Sequence, residues 1–204
     1  MYQKFFKRAI DLVLSVIGVI VLSPLFLIIT IAIKLDDPGS AIFKQKRVGI
    51  NKTHFYLYKF RSMKVNTPDI PTHLLENPEQ YISRVGKILR STSADELLQF
   101  FNIISGKMSI IGPRPALWNQ YDLIAERDKY GANDIKPGLT GWAQINGRDT
   151  IEIADKARYD GEYVEKISFL FDCKCFFGTI LKVLKRDGVF EGGIGKEEKS
   201  VSIK

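Results

Sequence analysis

The sequence predicts an α+β chain, mainly helical, in which an apolar N-terminal helical segment precedes a small domain with one β-hairpin and several amphipathic helices. Three observations carry this reading. Leu12 to Ile33 contains no charged residue. His54 to Tyr58 alternates in the manner of a half-buried strand. Beyond residue 83, apolar residues recur at helical spacing in segments bounded by Ser, Gly and Pro. The 204 residues suit one domain with an appendage, and the apolar content is too high for wholesale disorder. The net charge of +7 points to an anionic partner: nucleic acid, anionic lipid or a phosphorylated substrate. The two cysteines, Cys173 and Cys175, have no second pair and no nearby His to complete a zinc site, so they read as packing residues in a reducing compartment.

The charge-free run is about 22 residues, or roughly 33 Å as one helix, enough to cross a bilayer core of about 30 Å. No signal-peptide cleavage site follows it. Ser23-Pro24 falls in its middle, where proline removes a backbone bond and predicts a bend. Each half alone is too short to cross. Basic residues flank both ends: Lys4, Lys7 and Arg8 before, Lys34, Lys44, Lys46 and Arg47 after. The positive-inside rule then places both ends in the cytoplasm. Two arrangements meet the pattern: a helix that enters, bends and returns, or a spanning helix with a tolerated kink.

Residues 41 to 64 predict a hairpin, with Gly49-Ile50-Asn51-Lys52 at its turn. Residues 65 to 80 carry three prolines and read as a loop. A short helix is predicted from Ser83 to Leu89. Ser93-Ala94-Asp95-Glu96 then fits a capping box opening a helix that ends at Ser105-Gly106. Pro113 and Pro115 stiffen the loop that presents Arg114. A helix is predicted over Ala116 to Lys129. The stretch from Ile135 to Arg148 is dense in glycine and in hydrogen-bonding side chains such as Gln144 and Asn146; glycines let backbone amides approach a ligand. No P-loop or Rossmann glycine pattern is present. Helices over Glu152 to Lys166 and Ile167 to Lys185 follow. The latter suits either a membrane surface or a core. Residues from Asp187 onward read as a loose tail.

Asp95 and Glu96 lie side by side at a helix start, and Lys59, Arg61, Arg90, Arg114 and Arg148 sit in loops or at element ends. Each alone reads as a cap or a solvated charge. Together they suit a diphosphate: arginine forks bind phosphate oxygens in pairs, and carboxylates hold a bridging Mg²⁺. A basic stripe for nucleic acid is absent, because the charges are scattered. A non-catalytic membrane module would have no need of the acid pair.

The ordered motifs KRAIDL, SP within the apolar helix, KFRSM, RSTSADELLQFFN, GKMSIIGPRP, IKPGLTGWAQINGR and a late FD before a basic helix cover about Lys4 to Gly188. In this combination the chain resembles the bacterial sugar transferases, the small monotopic phosphoglycosyl transferases that initiate capsule, exopolysaccharide and N-linked glycoprotein assembly. Leu98 stands where many members carry proline, on the apolar face.

The resemblance implies a re-entrant helix-break-helix anchor over residues 1–35, marked by Lys7, Arg8, Ser23 and Pro24. It implies a catalytic domain over 36–186 at the cytoplasmic face of the bacterial inner membrane, and a tail over 187–204. Members of this length are the catalytic core alone. Asp95 would attack the β-phosphorus of a UDP-sugar, displacing UMP, and polyprenol phosphate (undecaprenyl phosphate) would take the phosphosugar. Glu96, with Asp95 as a possible second ligand, would hold Mg²⁺. Lys59, Arg61, Arg90, Arg114, Gln144, Asn146, Arg148 and Asp172 would bind substrate. The implied partners are the UDP-sugar, polyprenol phosphate, the phospholipid bilayer and downstream glycosyltransferases, with no nucleic acid. A helix N-terminus would keep the nucleophilic carboxylate ionised.

Overall fold

The computed structural model of the protein describes residues 2–68, 77–147 and 151–184. Arg148, most of the loop after residue 68 and the tail over 187–204 lie outside the described residues.

After a π-helical turn at Tyr2–Phe6, α1 runs from Lys7 to Asp36. The expected break does not divide it, for Pro24 lies inside one continuous helix. Proline lacks the amide hydrogen that would bond the carbonyl of Ile20. The Ser23 hydroxyl donates to that carbonyl at 2.8 Å and satisfies it. The first half of α1 buries Lys7, Asp11 and Ser15, a stripe at four-residue spacing. The last turns bury Ile29 and Ile33 beside Ala41, Phe60, Leu89 and Leu98. Between these docks, Ile17, Ile20, Val21, Leu27 and Ile28 are all exposed.

β1 (Ile42–Val48) and β2 (His54–Phe60) form the predicted antiparallel hairpin, with Ile42 opposite Phe60 and Val48 opposite His54. Phe55 and Leu57 point into the main core with Ile103, Met108, Ile110, Ile111, Tyr163 and Cys175. The outer edge of β2 is tied down by a side chain. Asn102 accepts from the Tyr58 amide at 3.0 Å and donates to the Tyr56 carbonyl at 2.8 Å.

α2 (Arg84–Thr92) starts at Ser83, whose side chain accepts from the Gly86 amide. It runs three residues past its expected end, so Arg90 stands within a helix. Gly86 is required by packing: a Cβ there would lie 1.9 Å from the Ser62 carbonyl oxygen. A 3₁₀ turn at Ala94–Glu96 leads into α3 (Gln99–Ile104).

A second sheet was not foreseen. β3 (Ser109–Ile111) pairs in parallel with β4 (Gly138–Thr140), placing Ser109 opposite Gly138 and Ile111 opposite Thr140. Strands this short carry too little alternation to announce themselves. A Cβ on Gly138 would stand 2.1 Å from the Gly112 nitrogen, and one on Gly141 would stand 2.1 Å from the Gly112 oxygen. These glycines let backbone pack on backbone, where the sequence suggested approach to a ligand.

α4 (Tyr121–Asp128) begins five residues later than expected. The Ala116 carbonyl accepts from the Val48 amide, and Leu117 bridges to Arg47, so this stretch is held as an extension of the hairpin. α5 (Trp142–Asn146), α6 (Ile153–Lys166) and α7 (Phe169–Leu184) complete the fold. α7 has one face in the core and one apolar face exposed. Asp172 and Cys175 are buried, while Phe169, Leu170, Phe177 and Leu181 face outward, each more than half exposed. Both cysteines are free thiols.

Candidate active site

Four elements converge on the acid pair. The end of β2 supplies Lys59, α2 supplies Arg90, the 3₁₀ turn supplies Asp95 and Glu96, and the loop after β3 supplies Arg114. Lys59 Nζ lies 2.8 Å from Glu96 Oε1 and 3.9 Å from Asp95 Oδ2. Arg114 forks over Glu96: Nη1 donates to Oε2 at 3.1 Å and Nη2 donates to Oε1. Arg90 Nε donates to the Ser62 hydroxyl at 3.0 Å, and its charge is felt at Asp95.

The expected capping box does not form. Ser93 is left-handed, at φ 57°, closes α2, and makes no side-chain cap to the turn that follows. Glu96 is drawn instead to Lys59 and Arg114, whose charge-assisted bonds outweigh a neutral cap. The dipole argument made from the sequence is weakened accordingly, since the acids sit in a 3₁₀ turn ahead of a six-residue helix.

The two carboxylates differ sharply. Burial pushes the Asp95 carboxyl above the ordinary range, and the neighbouring Glu96 charge adds to this. Lys59, Arg114 and Arg90 offset it only in part. Burial also opposes ionisation of Glu96, but the charges and hydrogen bonds of Arg114 and Lys59 prevail and hold it well below the ordinary range. Glu96 accepts three hydrogen bonds from Lys59 and Arg114, while the Asp95 carboxylate accepts none among the described residues. One acid is locked and ionised; the other is buried with its lone pairs uncommitted. Three cations around two carboxylates leave an excess of positive charge, which suits an anionic ligand.

Other predicted site residues make their described contacts with groups other than the acid pair. Arg61 serves the end of α1, donating to the Asp37 carbonyl and facing its carboxylate at 3.6 Å. Asp172 is not brought to the acid pair. It is a buried joint that accepts from Tyr2 Oη and Lys7 Nζ, both at 2.6 Å, and from Tyr163 Oη at 2.7 Å. Arg8 caps α3 through the carbonyls of Ile103 and Ile104. Asn146 turns back to the Trp142 carbonyl at 2.8 Å. Gln144 is placed in α5 with both amide atoms buried and no hydrogen-bond partner among the described residues.

Sequence reasoning missed two supports of the site. Ser62 was read only as part of KFRSM, yet it anchors Arg90. Asp11 accepts from the Ser109 hydroxyl at 2.7 Å and the Ile110 amide at 3.0 Å, fastening α1 to the strand that leads to Arg114. An acid one turn inside an apolar helix was the available signal.

Comparison with known proteins agrees with the motifs. The family model described as bacterial sugar transferase matches residues 2–186. A UDP-glucose:undecaprenyl-phosphate glucose-1-phosphate transferase of Escherichia coli K12 is 42% identical over 189 residues, which cover 88% of this chain and 40% of that protein. A UDP-N-acetylgalactosamine-undecaprenyl-phosphate N-acetylgalactosaminephosphotransferase of Aeromonas hydrophila is 36% identical over 186 residues, covering 88% of this chain and 44% of that protein. The chain thus spans less than half the length of these two relatives. An uncharacterized sugar transferase of Bacillus subtilis is 36% identical over 183 residues, and the match covers 90% of this chain and 89% of that relative. With a matching model across nearly its whole described length, the chain belongs to the bacterial sugar transferase family.

Proposed function

We propose that this chain transfers a phosphosugar from a UDP-sugar to undecaprenyl phosphate, with Asp95 as the nucleophile. The observation that carries the reading is the asymmetry of the acid pair: Glu96 is clamped by Lys59 and Arg114, while Asp95 beside it is buried and accepts no hydrogen bond among the described residues. The names of the relatives support the donor and acceptor classes.

In the first step an Asp95 oxygen attacks the β-phosphorus. The bond from that phosphorus to the oxygen bridging the α-phosphate breaks, and UMP leaves with the electron pair. A sugar-phosphoryl aspartate remains. In the second step a phosphate oxygen of undecaprenyl phosphate attacks the same phosphorus and the Asp95 carboxylate departs. The products are undecaprenyl diphosphate sugar and a free Asp95. Arg114, Lys59 and Arg90 provide preorganised positive charge around the transferred group.

The donor set fits Mg²⁺. Among the described residues no cluster of three or more metal-type side chains exists, but Mg²⁺ is commonly held by one or two carboxylates with substrate phosphates completing its shell. Glu96 and Asp95 would hold it, and it would neutralise charge on the diphosphate.

We also propose that α1 is a re-entrant anchor with both ends at the cytoplasmic face of the inner membrane. Arg8 docks on the carbonyls of Ile103 and Ile104, Gly18 lies against Phe100, and the Phe26 ring is 6.3 Å from Phe101. A helix whose ends stood in opposite aqueous phases would not dock both halves on one six-residue helix. The exposed apolar face of α7 suits the same bilayer surface. The product would pass to further glycosyltransferases.

Intact-protein mass spectrometry tests the chemistry. With Mg²⁺ and UDP-glucose or UDP-N-acetylgalactosamine, and no lipid acceptor, the protein should gain the mass of the phosphosugar and release at most one UMP per chain. Asp95→Asn should show neither. Rapid turnover without any adduct, or normal turnover by Asp95→Asn, would refute the covalent mechanism.

A further inference from the structure

The loop that carries Arg114 is fastened on both sides. The Gly112 amide donates to the Thr140 carbonyl at 2.8 Å, and the Pro113 carbonyl accepts from the Gly138 amide at 2.8 Å. These bonds secure the side facing β4. On the other side the Pro115 carbonyl accepts from Arg47 Nη1 at 2.8 Å, and the Ala116 carbonyl accepts from the Val48 amide at 3.0 Å. Arg47 is itself aimed. Its Nε and Nη2 donate to Gln45 Oε1 at 3.1 and 2.5 Å. Proline has no amide hydrogen, so Pro113 and Pro115 can be held only through their carbonyls, and each carbonyl has a donor.

We propose that Arg47 is a positioning residue for Arg114, with Gln45 as its orienter. The guanidinium of Arg47 holds the Pro115 carbonyl, which fixes the Pro115–Ala116 peptide one residue beyond Arg114 and, through the stiff proline between them, the direction from which the Arg114 fork meets Glu96. The hairpin thereby supplies two things to the site: Lys59 from β2, and the register of Arg114 from β1. A lysine at 47 would lack the rigid planar fork that lets Arg47 bond the Gln45 amide oxygen through Nε and Nη2 while Nη1 holds the Pro115 carbonyl. This inference rests on the role proposed above for Arg114.

A double-mutant cycle on steady-state UMP release tests it, with undecaprenyl phosphate as acceptor and UDP-glucose, or UDP-N-acetylgalactosamine if that sugar is the one turned over. Arg47→Met should lower kcat by about 10- to 100-fold, the cost of misplacing a reacting geometry by a fraction of its bond lengths, with KM for the nucleotide sugar changing far less. Arg47→Met added to Arg114→Lys should cost no more than about two-fold beyond Arg114→Lys alone, because one effect acts through the other. Gln45→Leu keeps Arg47 but removes its orienter; it should show a smaller kcat loss that Arg114→Lys also absorbs. That arm decides the matter if Arg47→Met does not fold. Multiplicative losses in the cycle would overturn the inference. Full activity in Arg47→Met, with Arg114→Lys impaired, would overturn it alone. Full activity in Arg114→Lys would remove its premise and overturn it together with the proposed role of Arg114.

Discussion

Lys59 Nζ stands 2.8 Å from Glu96 and 3.9 Å from Asp95, so one ammonium serves two adjacent carboxylates unequally. The inequality sets opposite titration behaviour for the pair. Glu96 is depressed in the folded state, so its contribution to stability is present at neutral pH and is lost as pH falls through its lowered value. Asp95 is raised, so it favours folding most when protonated, and this contribution is lost as pH rises through its elevated value.

Chemical denaturation at pH 7 should therefore separate the two amide variants. Glu96→Gln should destabilise by about 2–3 kcal/mol, because it leaves the partly buried Lys59 and Arg114 facing a neutral amide with one accepting oxygen instead of two and no compensating charge. Asp95→Asn should be neutral or stabilising at pH 7, and its advantage should shrink as pH falls toward the ordinary carboxylate range. A large loss in Asp95→Asn at neutral pH would contradict the reading that burial disfavours the ionised Asp95 carboxyl.

Activity should fall on the acid side with a midpoint above the ordinary Asp value, because the nucleophile must be ionised and burial resists that. A kcat/KM profile that stays flat down through pH 4 would place the nucleophile elsewhere.

Arg114→Lys keeps the charge and loses the fork that spans both oxygens of Glu96. A point charge cannot reproduce that bidentate geometry. UMP release should drop by about 10-fold or more, and full activity at subsaturating nucleotide sugar would remove Arg114 from the site.

Asp172 offers a contrast. Asp172→Asn leaves Lys7 facing a neutral amide in a buried joint between α1 and α7. It should cost about 3 kcal/mol or more. In protein that remains folded, KM for the nucleotide sugar should stay near the parent value. A selective rise in KM at unchanged stability would restore Asp172 to the substrate site.

For the anchor, cysteines placed one at a time within residues 2 to 6 and 38 to 40 should label from the same side of sealed vesicles. Replacing both Ser23 and Pro24 with leucine removes the proline and its paired hydroxyl from an apolar run of about 33 Å, long enough to span, and should move one flank to the other side. Opposite-side labelling in the unmodified chain would end the re-entrant reading.

Much of this protein was determined by local sequence. The charge-free run marked α1, alternation around Phe55 and Leu57 marked the hairpin, and the adjacency of Asp95 and Glu96 marked the candidate site; each depends on neighbours along the chain. The tertiary structure decided what no local signal carries. Ser93 and Glu96 have the spacing of a capping box, but two cations brought in from β2 and from the loop after β3 claim Glu96 and dissolve it. The glycines at 138 and 141 read as ligand-facing until the parallel pairing of β3 and β4 set them against Gly112. The resemblance implied Asp172 as a substrate ligand, and only the fold shows Tyr2, Lys7 and Tyr163, distant from it in sequence or across a helix boundary, closed around its carboxylate. The physical reason is common to all three. A buried charge or a close backbone contact is decided by whichever partner reaches it with the stronger interaction, and those partners are brought by packing across the whole fold rather than by position in the chain.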